Sequence, residues 1–177
     1  MTKPVKLVVM TFAIAMLVVM VIGLRNVGSS VTIGELGYDF EMQDLEGNIH
    51  RLSDYEGEMV FLNFFATWCR QCVEEAPELE RFNEEFKDQM NLLIIVRGEP
   101  VRTVQRYVDN TNSKKTYLFD FNTEVGKRFG ITGQPETLVI NEEGIIIDHY
   151  VGSVNRDFLA RKLEEYKGNT IGKYTVD

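Results

Sequence analysis

The two cysteines of this chain stand as Cys69-Arg70-Gln71-Cys72, directly after Trp68. In a first helical turn, residues i and i+3 are neighbours, within the short separation that a disulfide needs. A helix N-terminus offers free N–H donors and a positive dipole end, which favour Cys69 as a thiolate, and Arg70 adds a cation beside it. Such a thiolate attacks a disulfide in another molecule, and Cys72 then releases the mixed disulfide. A structural disulfide has no need of a strand-to-helix junction with a tryptophan in front of it. Half of a metal site would need further ligands, and the two histidines, His50 and His149, are far apart in the sequence. No zinc-ribbon or zinc-protease spacing is present, so no metal is expected. The pair points to redox chemistry.

Strands and helices on either side must hold that pair. Met59–Ala66 (MVFLNFFA) is a nearly continuous apolar run, the pattern of a strand buried on both faces. Behind the cysteines, Ala76, Leu79, Phe82 and Phe86 recur at intervals of three and four, so one helical face packs into a core. Asn91–Val96 predicts a second buried strand, and Pro100–Asn110 a helix with Val101, Val104 and Val108 on one side. Tyr117–Phe119 reads as a short strand, and Thr123–Phe129 as a short helix ended by Gly130. Thr137–Ile140 and Ile145–Val151 flank Asn141-Glu142-Glu143-Gly144, a hairpin signal. Arg156–Tyr166 is a last helix with Phe158, Leu159 and Leu163 inward. Upstream, Asp39–Leu45 and Ile49–Leu52 flank a Glu46-Gly47-Asn48 turn. The order β-β-β-α-β-α-β-α-β-β-α indicates an α/β domain with a mixed central sheet.

Composition narrows the classes further. The 177 residues suffice for one ordinary domain and an appendage. With 19 basic against 27 acidic residues and no basic run, nucleic-acid binding is excluded for want of a phosphate footprint. Two cysteines cannot build a multi-bridge secreted scaffold. The first thirty residues differ in kind, holding Lys3, Lys6 and Arg25 and no acid. From Leu7 to Leu24 runs LVVMTFAIAMLVVMVIGL without a charge. As a helix it would be about 27 Å long, near the hydrocarbon thickness of a bilayer, and apolar on every face.

That segment reads as an uncleaved transmembrane anchor. A cleaved signal peptide and a buried core helix are the alternatives, but a signal core is usually shorter and no A-x-A site follows. The basic residues ahead of it predict a cytoplasmic N-terminus and a body outside the cytoplasmic membrane. The expected divisions are a cytoplasmic start at 1–6, an anchor at 7–24, a linker at 25–37, a folded domain at 38–168 and a tail at 169–177.

The run from Gly57 to Cys72 (GEMVFLNFFATWCRQC) resembles the active-site strand and turn of the TlpA/ResA-like branch of the thioredoxin superfamily. Its members are membrane-tethered, extracytoplasmic thiol-disulfide oxidoreductases, and the likeness extends from about Gly37 to Gly168. Trp68, Cys69 and Cys72 match the redox motif, and Pro77 matches the proline that kinks the family's first long helix. Thr132-Gly133-Gln134-Pro135-Glu136-Thr137 matches the loop carrying a cis-proline opposite the cysteines, which assigns that role to Pro135. By the same resemblance the backbone around Gln134 pairs with the partner's peptide, so Trp68, Gln134 and Pro135 form the implied substrate-binding set.

Glu75 lies three residues past Cys72, one helical turn along the same face. By spacing alone it can equally be a solvated surface residue like Glu74. The family's cytochrome c maturation reductases carry a glutamate at this place. Thioredoxin itself has a buried aspartate six residues before the first cysteine, where this chain has Asn63. The resemblance thus implies that Glu75 replaces the missing acid as proton acceptor or field source for Cys72.

The implied architecture is a thioredoxin-like fold: a central mixed β-sheet flanked by helices, with an N-terminal β-hairpin and a single transmembrane helix. The implied activity is reduction of protein disulfides outside the cytoplasm, with apocytochrome c the family's best-known substrate. A membrane electron-transfer thiol protein would supply the electrons, and no cofactor is implied. A spore-envelope reductase, a disulfide-donating oxidase and a copper-delivery protein are the alternatives. The chain lacks the long helical insertion of periplasmic oxidases and the wider cysteine spacing of a copper carrier. The P-x-x-x-T-x-x-C pattern of thiol peroxidases is also absent, because Leu62 and Ala66 occupy its positions. Two departures stand out. Arg-Gln separates the cysteines where proline is usual at the second place, which leaves the reduction potential open. Phe65 stands where tryptophan is common.

Overall fold

The computed structural model describes residues 10–18 and 31–173. Residues 10–18 form a helix, α1, whose side chains are exposed. The predicted anchor at 7–24 extends beyond it at both ends into residues outside those described. Among the described residues, no helix is long and apolar enough to cross a membrane. The end of the predicted linker lies against the sheet: Leu36 bridges Ile145, and the Gly37 N–H donates to the Gly144 carbonyl at 2.8 Å. A Cβ at position 37 would stand 2.6 Å from Leu52 Cδ2, so a larger residue here would push the Leu52 side chain aside.

The first hairpin is β1 (Glu41–Gln43) against β2 (Ile49–Arg51), a separate two-stranded sheet followed by a 3-10 turn at Leu52–Tyr55. Then come β3 (Val60–Phe65), α2 (Arg70–Phe86), β4 (Asn91–Arg97), α3 (Val101–Thr111) and β5 (Thr116–Asp120). The chain closes with α4 (Glu124–Arg128), β6 (Glu136–Ile140), β7 (Ile146–Val151) and α5 (Arg156–Lys173). The five-stranded sheet has the order β5-β4-β3-β6-β7. β3, β4 and β5 run parallel, while β6 is antiparallel to both of its neighbours. This is the expected mixed sheet with flanking helices. α5 runs on to Lys173, into the stretch expected to be a tail.

β3 is buried at every position because both of its faces are covered. Side chains alternate along a strand, so Phe61, Asn63 and Phe65 point one way and Val60, Leu62 and Phe64 the other. The first set packs in a cluster with Cys72, Leu79 and Phe82 of α2 and Leu159 and Leu163 of α5. Phe61 meets Phe82 edge-on with centroids 5.2 Å apart, which fixes α2 to the sheet. The second set packs under the hairpin and α4, with Phe40, Met42, Val125 and Phe129. Each face therefore has its own core, and the cysteines belong to the first. The valine face of α3 turns less than expected: Val104 is buried, whereas Val101 is 39% exposed.

Candidate redox site

β3 ends at Phe65, and a short turn carries the chain into α2 with Cys69 as its cap. Cys69 has an extended backbone (φ −80°, ψ 109°), and its Sγ accepts from the Cys72 N–H at 3.2 Å. That bond satisfies a donor the helix would otherwise leave open. The cysteines are joined as a disulfide with Cα atoms 5.3 Å apart. Cys69 is 8% exposed and Cys72 is 0% exposed, so an incoming thiolate or disulfide has access to Cys69 alone. Trp68 is 70% exposed and sets its ring at the rim. Beneath it, the Glu99 carboxylate accepts from the Thr67 N–H at 2.6 Å and from Thr67 Oγ1 at 2.5 Å, fixing the turn.

Arg70 departs from expectation. Its side chain is 90% exposed, and its Nε donates to Glu74 at 2.7 Å. The cation expected beside Cys69 is thus taken up by the residue one turn along the helix.

Across from Cys69, the Gln134–Pro135 peptide is cis, as the resemblance implies. The Gln134 carbonyl oxygen lies 3.7 Å from Cys69 Sγ, so the structure brings Cys69, Gln134 and Pro135 together at one mouth. The segment is held from below. Arg97 Nη1 donates to the Gly133 carbonyl and to Gln134 Oε1, both at 3.1 Å. Glu136 Oε1 accepts from the N–H groups of Thr132 and Gly133, and Glu136 Oε2 lies 2.7 Å from His149 Nε2.

Glu75 is not a surface residue. It is 3% exposed, on the same side of the sheet as Asn63. Its Oε1 accepts from Asn63 Nδ2 and its Oε2 from the Val154 N–H, each at 2.9 Å. Asn63 Nδ2 also donates to Thr137 Oγ1 at 3.0 Å, because Asn63 and Thr137 are directly paired on β3 and β6. Burial pushes the Glu75 carboxyl above the ordinary carboxylate range, against the pull of the Val154 and Asn63 hydrogen bonds. Glu74, by contrast, has a side chain 58% exposed.

Glu99, Arg97 and His149 carry no local sequence signal that marks them as site residues, and the loop motif alone gives Glu136 no role. The available signal was a glutamate opening an otherwise apolar strand, ETLVI, directly after Pro135.

Residues 33–149 match the family model described as AhpC/TSA. The chain belongs to the AhpC/TSA family. Within it, the chain is 34% identical over 135 residues to the thiol-disulfide oxidoreductase ResA of Halalkalibacterium halodurans, covering 76% of this chain and 77% of the relative. It is 31% identical over 140 residues to the ResA of Geobacillus kaustophilus, covering 78% of this chain and 80% of that one. Among solved structures, the pneumococcal exposed lipoprotein thioredoxin Etrx1 of Streptococcus pneumoniae superposes with a TM-score of 0.67 at 25% identity, over 72% of this chain and 99% of that one. The fold is thioredoxin-like, and this family member is a thiol-disulfide oxidoreductase.

Proposed function

We propose that this oxidoreductase is a membrane-anchored reductase of protein disulfides outside the cytoplasm, of the apocytochrome c maturation type. The observation that carries this reading is an accessible sulfur, Cys69, facing the Gln134 carbonyl, with its partner sulfur and a carboxyl of raised pKa, Glu75, buried behind it. In the reduced enzyme the Cys69 thiolate attacks one sulfur of the substrate disulfide. The substrate S–S bond breaks, the other substrate sulfur leaves with the electron pair, and a mixed disulfide forms. Cys72 then attacks Cys69 Sγ, and the second substrate thiolate departs. The enzyme dithiol ends as the disulfide and the substrate as two thiols. A membrane thiol protein resets the enzyme by the same exchange in reverse.

Cys72 must lose its proton to attack. Glu75, one turn along the helix and shielded from water, is the group that takes it. The apolar, uncharged segment 7–24 and the lysines ahead of it support an anchor with the catalytic domain on the outer side.

The deciding measurement is the reduction potential of the Cys69–Cys72 couple, read together with insulin reduction. A donor should lie near or below about −220 mV, whereas a value near about −120 mV would make the protein an oxidant and end this reading. Tight stoichiometric copper binding by the reduced protein would favour copper delivery instead. In Cys72→Ser the mixed disulfide with substrate should persist, since no resolving thiol remains. Removing residues 1–30 should release a soluble, redox-competent domain from the membrane fraction. Loss of cysteine chemistry on that truncation would make the segment part of the fold.

A further inference from the structure

The side chains beneath the Thr132–Pro135 segment take no part in the sulfur exchange. Glu136 opens β6 and is 1% exposed. Its Oε1 accepts from two successive peptide groups, the Thr132 N–H at 3.0 Å and the Gly133 N–H at 2.6 Å. Its Oε2 meets Nε2 of His149, which stands on β7 opposite Leu138. From the other flank, Arg97 holds the Gly133 carbonyl, while on the His149 side the Gly152 N–H, just past β7, holds the Pro135 carbonyl at 2.9 Å. What remains directed at the mouth is the Gln134 carbonyl, 3.7 Å from Cys69 Sγ. A polypeptide that brings its disulfide to Cys69 must lie along this segment.

We propose that the Glu136–His149 pair clamps the Thr132–Pro135 segment in register for a polypeptide docked at Cys69, which makes His149 a positioning residue for protein disulfides. The inference rests on proteins being the substrates. The physical reason is the hydrogen-bond inventory of a buried carboxylate. With His149 gone, Oε2 loses its partner in a water-poor site, and the carboxylate gains by turning toward solvent. Turning releases the Thr132 and Gly133 amides together. Backbone pairing with a docked chain depends on sub-ångström placement, whereas a small disulfide reaches Cys69 without it.

The test uses the full chain in mild detergent, with dithiothreitol as electron donor and either insulin or a small aromatic disulfide as acceptor. His149→Ala should raise KM for insulin about tenfold while kcat stays within about twofold, and the rate with the small disulfide should fall by less than about twofold. Amide exchange at Thr132 and Gly133, followed by NMR, should be at least about tenfold faster than in the wild type. His149→Gln, which keeps an N–H donor near the place of Nε2, should restore KM to within about threefold. Unchanged KM or unchanged exchange in His149→Ala overturns the clamp. Equal losses with both disulfides overturn it too, since they would place His149 in the sulfur chemistry or the fold. If the wild type itself fails to reduce insulin, the proposed function falls, and the exchange measurement still decides the clamp.

Discussion

Two buried carboxylates serve this site from opposite faces of one sheet. Glu75, on the α2–α5 face, has a single neutral donor on each oxygen: an amide from Asn63 and the peptide N–H of Val154. Glu136, on the face under the hairpin and α4, has two peptide donors on one oxygen and the imidazole of His149 on the other. Burial costs an ionised carboxylate several kcal/mol unless donors and cations offset it. Glu75 is held in place with its charge thinly compensated, in keeping with the proton-accepting role proposed for it. Glu136 gathers two peptide N–H groups on one oxygen and meets the His149 ring with the other, which suits a fixed post. The number and kind of partners set two identical side chains in different surroundings, one thinly compensated and one closely held.

Replacing each carboxylate tests that contrast, and the largest effect should come from Glu136→Ala. It strands the Thr132 and Gly133 amides and should cost about 2–4 kcal/mol in denaturant unfolding. A loss below about 1 kcal/mol would erase the distinction between the two faces. Next is Glu75→Gln, which should slow turnover with a protein disulfide by about tenfold or more while leaving the fold intact. The same change removes a negative charge near Cys72 and should lower its thiol pKa. Thiol titration curves identical to the wild type would return Glu75 to a purely structural place.

A smaller effect is the pH dependence of stability. The folded-state pKa of Glu75 is raised by burial above its unfolded value, so the native state favours the protonated form. Relative to Glu75→Gln, the wild type should therefore hold its full stability below about pH 4.3, the unfolded value, and lose it as pH rises through the folded pKa. Thermal melts of the oxidised proteins across that window check the sign, and a difference growing in the opposite direction would contradict the thin compensation of Glu75. The smallest effect belongs to Glu74→Gln. It breaks only the exposed pair with Arg70, and should shift stability by less than about 0.5 kcal/mol and leave the thiol titration alone.

How far the chain could be read in advance depends on the range of the physics involved. Burial on both faces makes β3 visible as a run of apolar residues, and the i, i+3 spacing makes the disulfide visible, because both signals are local. Glu75 shows the boundary. Its place on the helix was legible, but what covers it is Val154, between β7 and α5, and only tertiary packing brings that N–H to the carboxylate. Arg70 failed in the other direction: adjacency suggested help for Cys69, and an i, i+4 partner claimed the cation. The links from Arg97 to Gly133 and from Glu136 to His149 depend on strand order, which no local pattern reports. For the Pro135 loop, the resemblance supplied what periodicity could not.

Asn63 has one further property. Its Nδ2 serves both Glu75 and Thr137, while its Oδ1 is buried with no hydrogen-bond partner among the described residues. A primary amide carries a donor and an acceptor on a single pivot. Spun half a revolution, Asn63 would offer oxygen where it now offers nitrogen, the match for a carboxylic acid O–H at Glu75, and the Thr137 hydroxyl, which accepts now, would donate instead. Turned one way, this planar group fits an ionised Glu75; turned the other way, it would fit a protonated one. An ionised aspartate at the same post has acceptors on both sides and no second setting. A proton gained at Glu75 would then ask only for a turn of this amide, with strand and helix keeping their places.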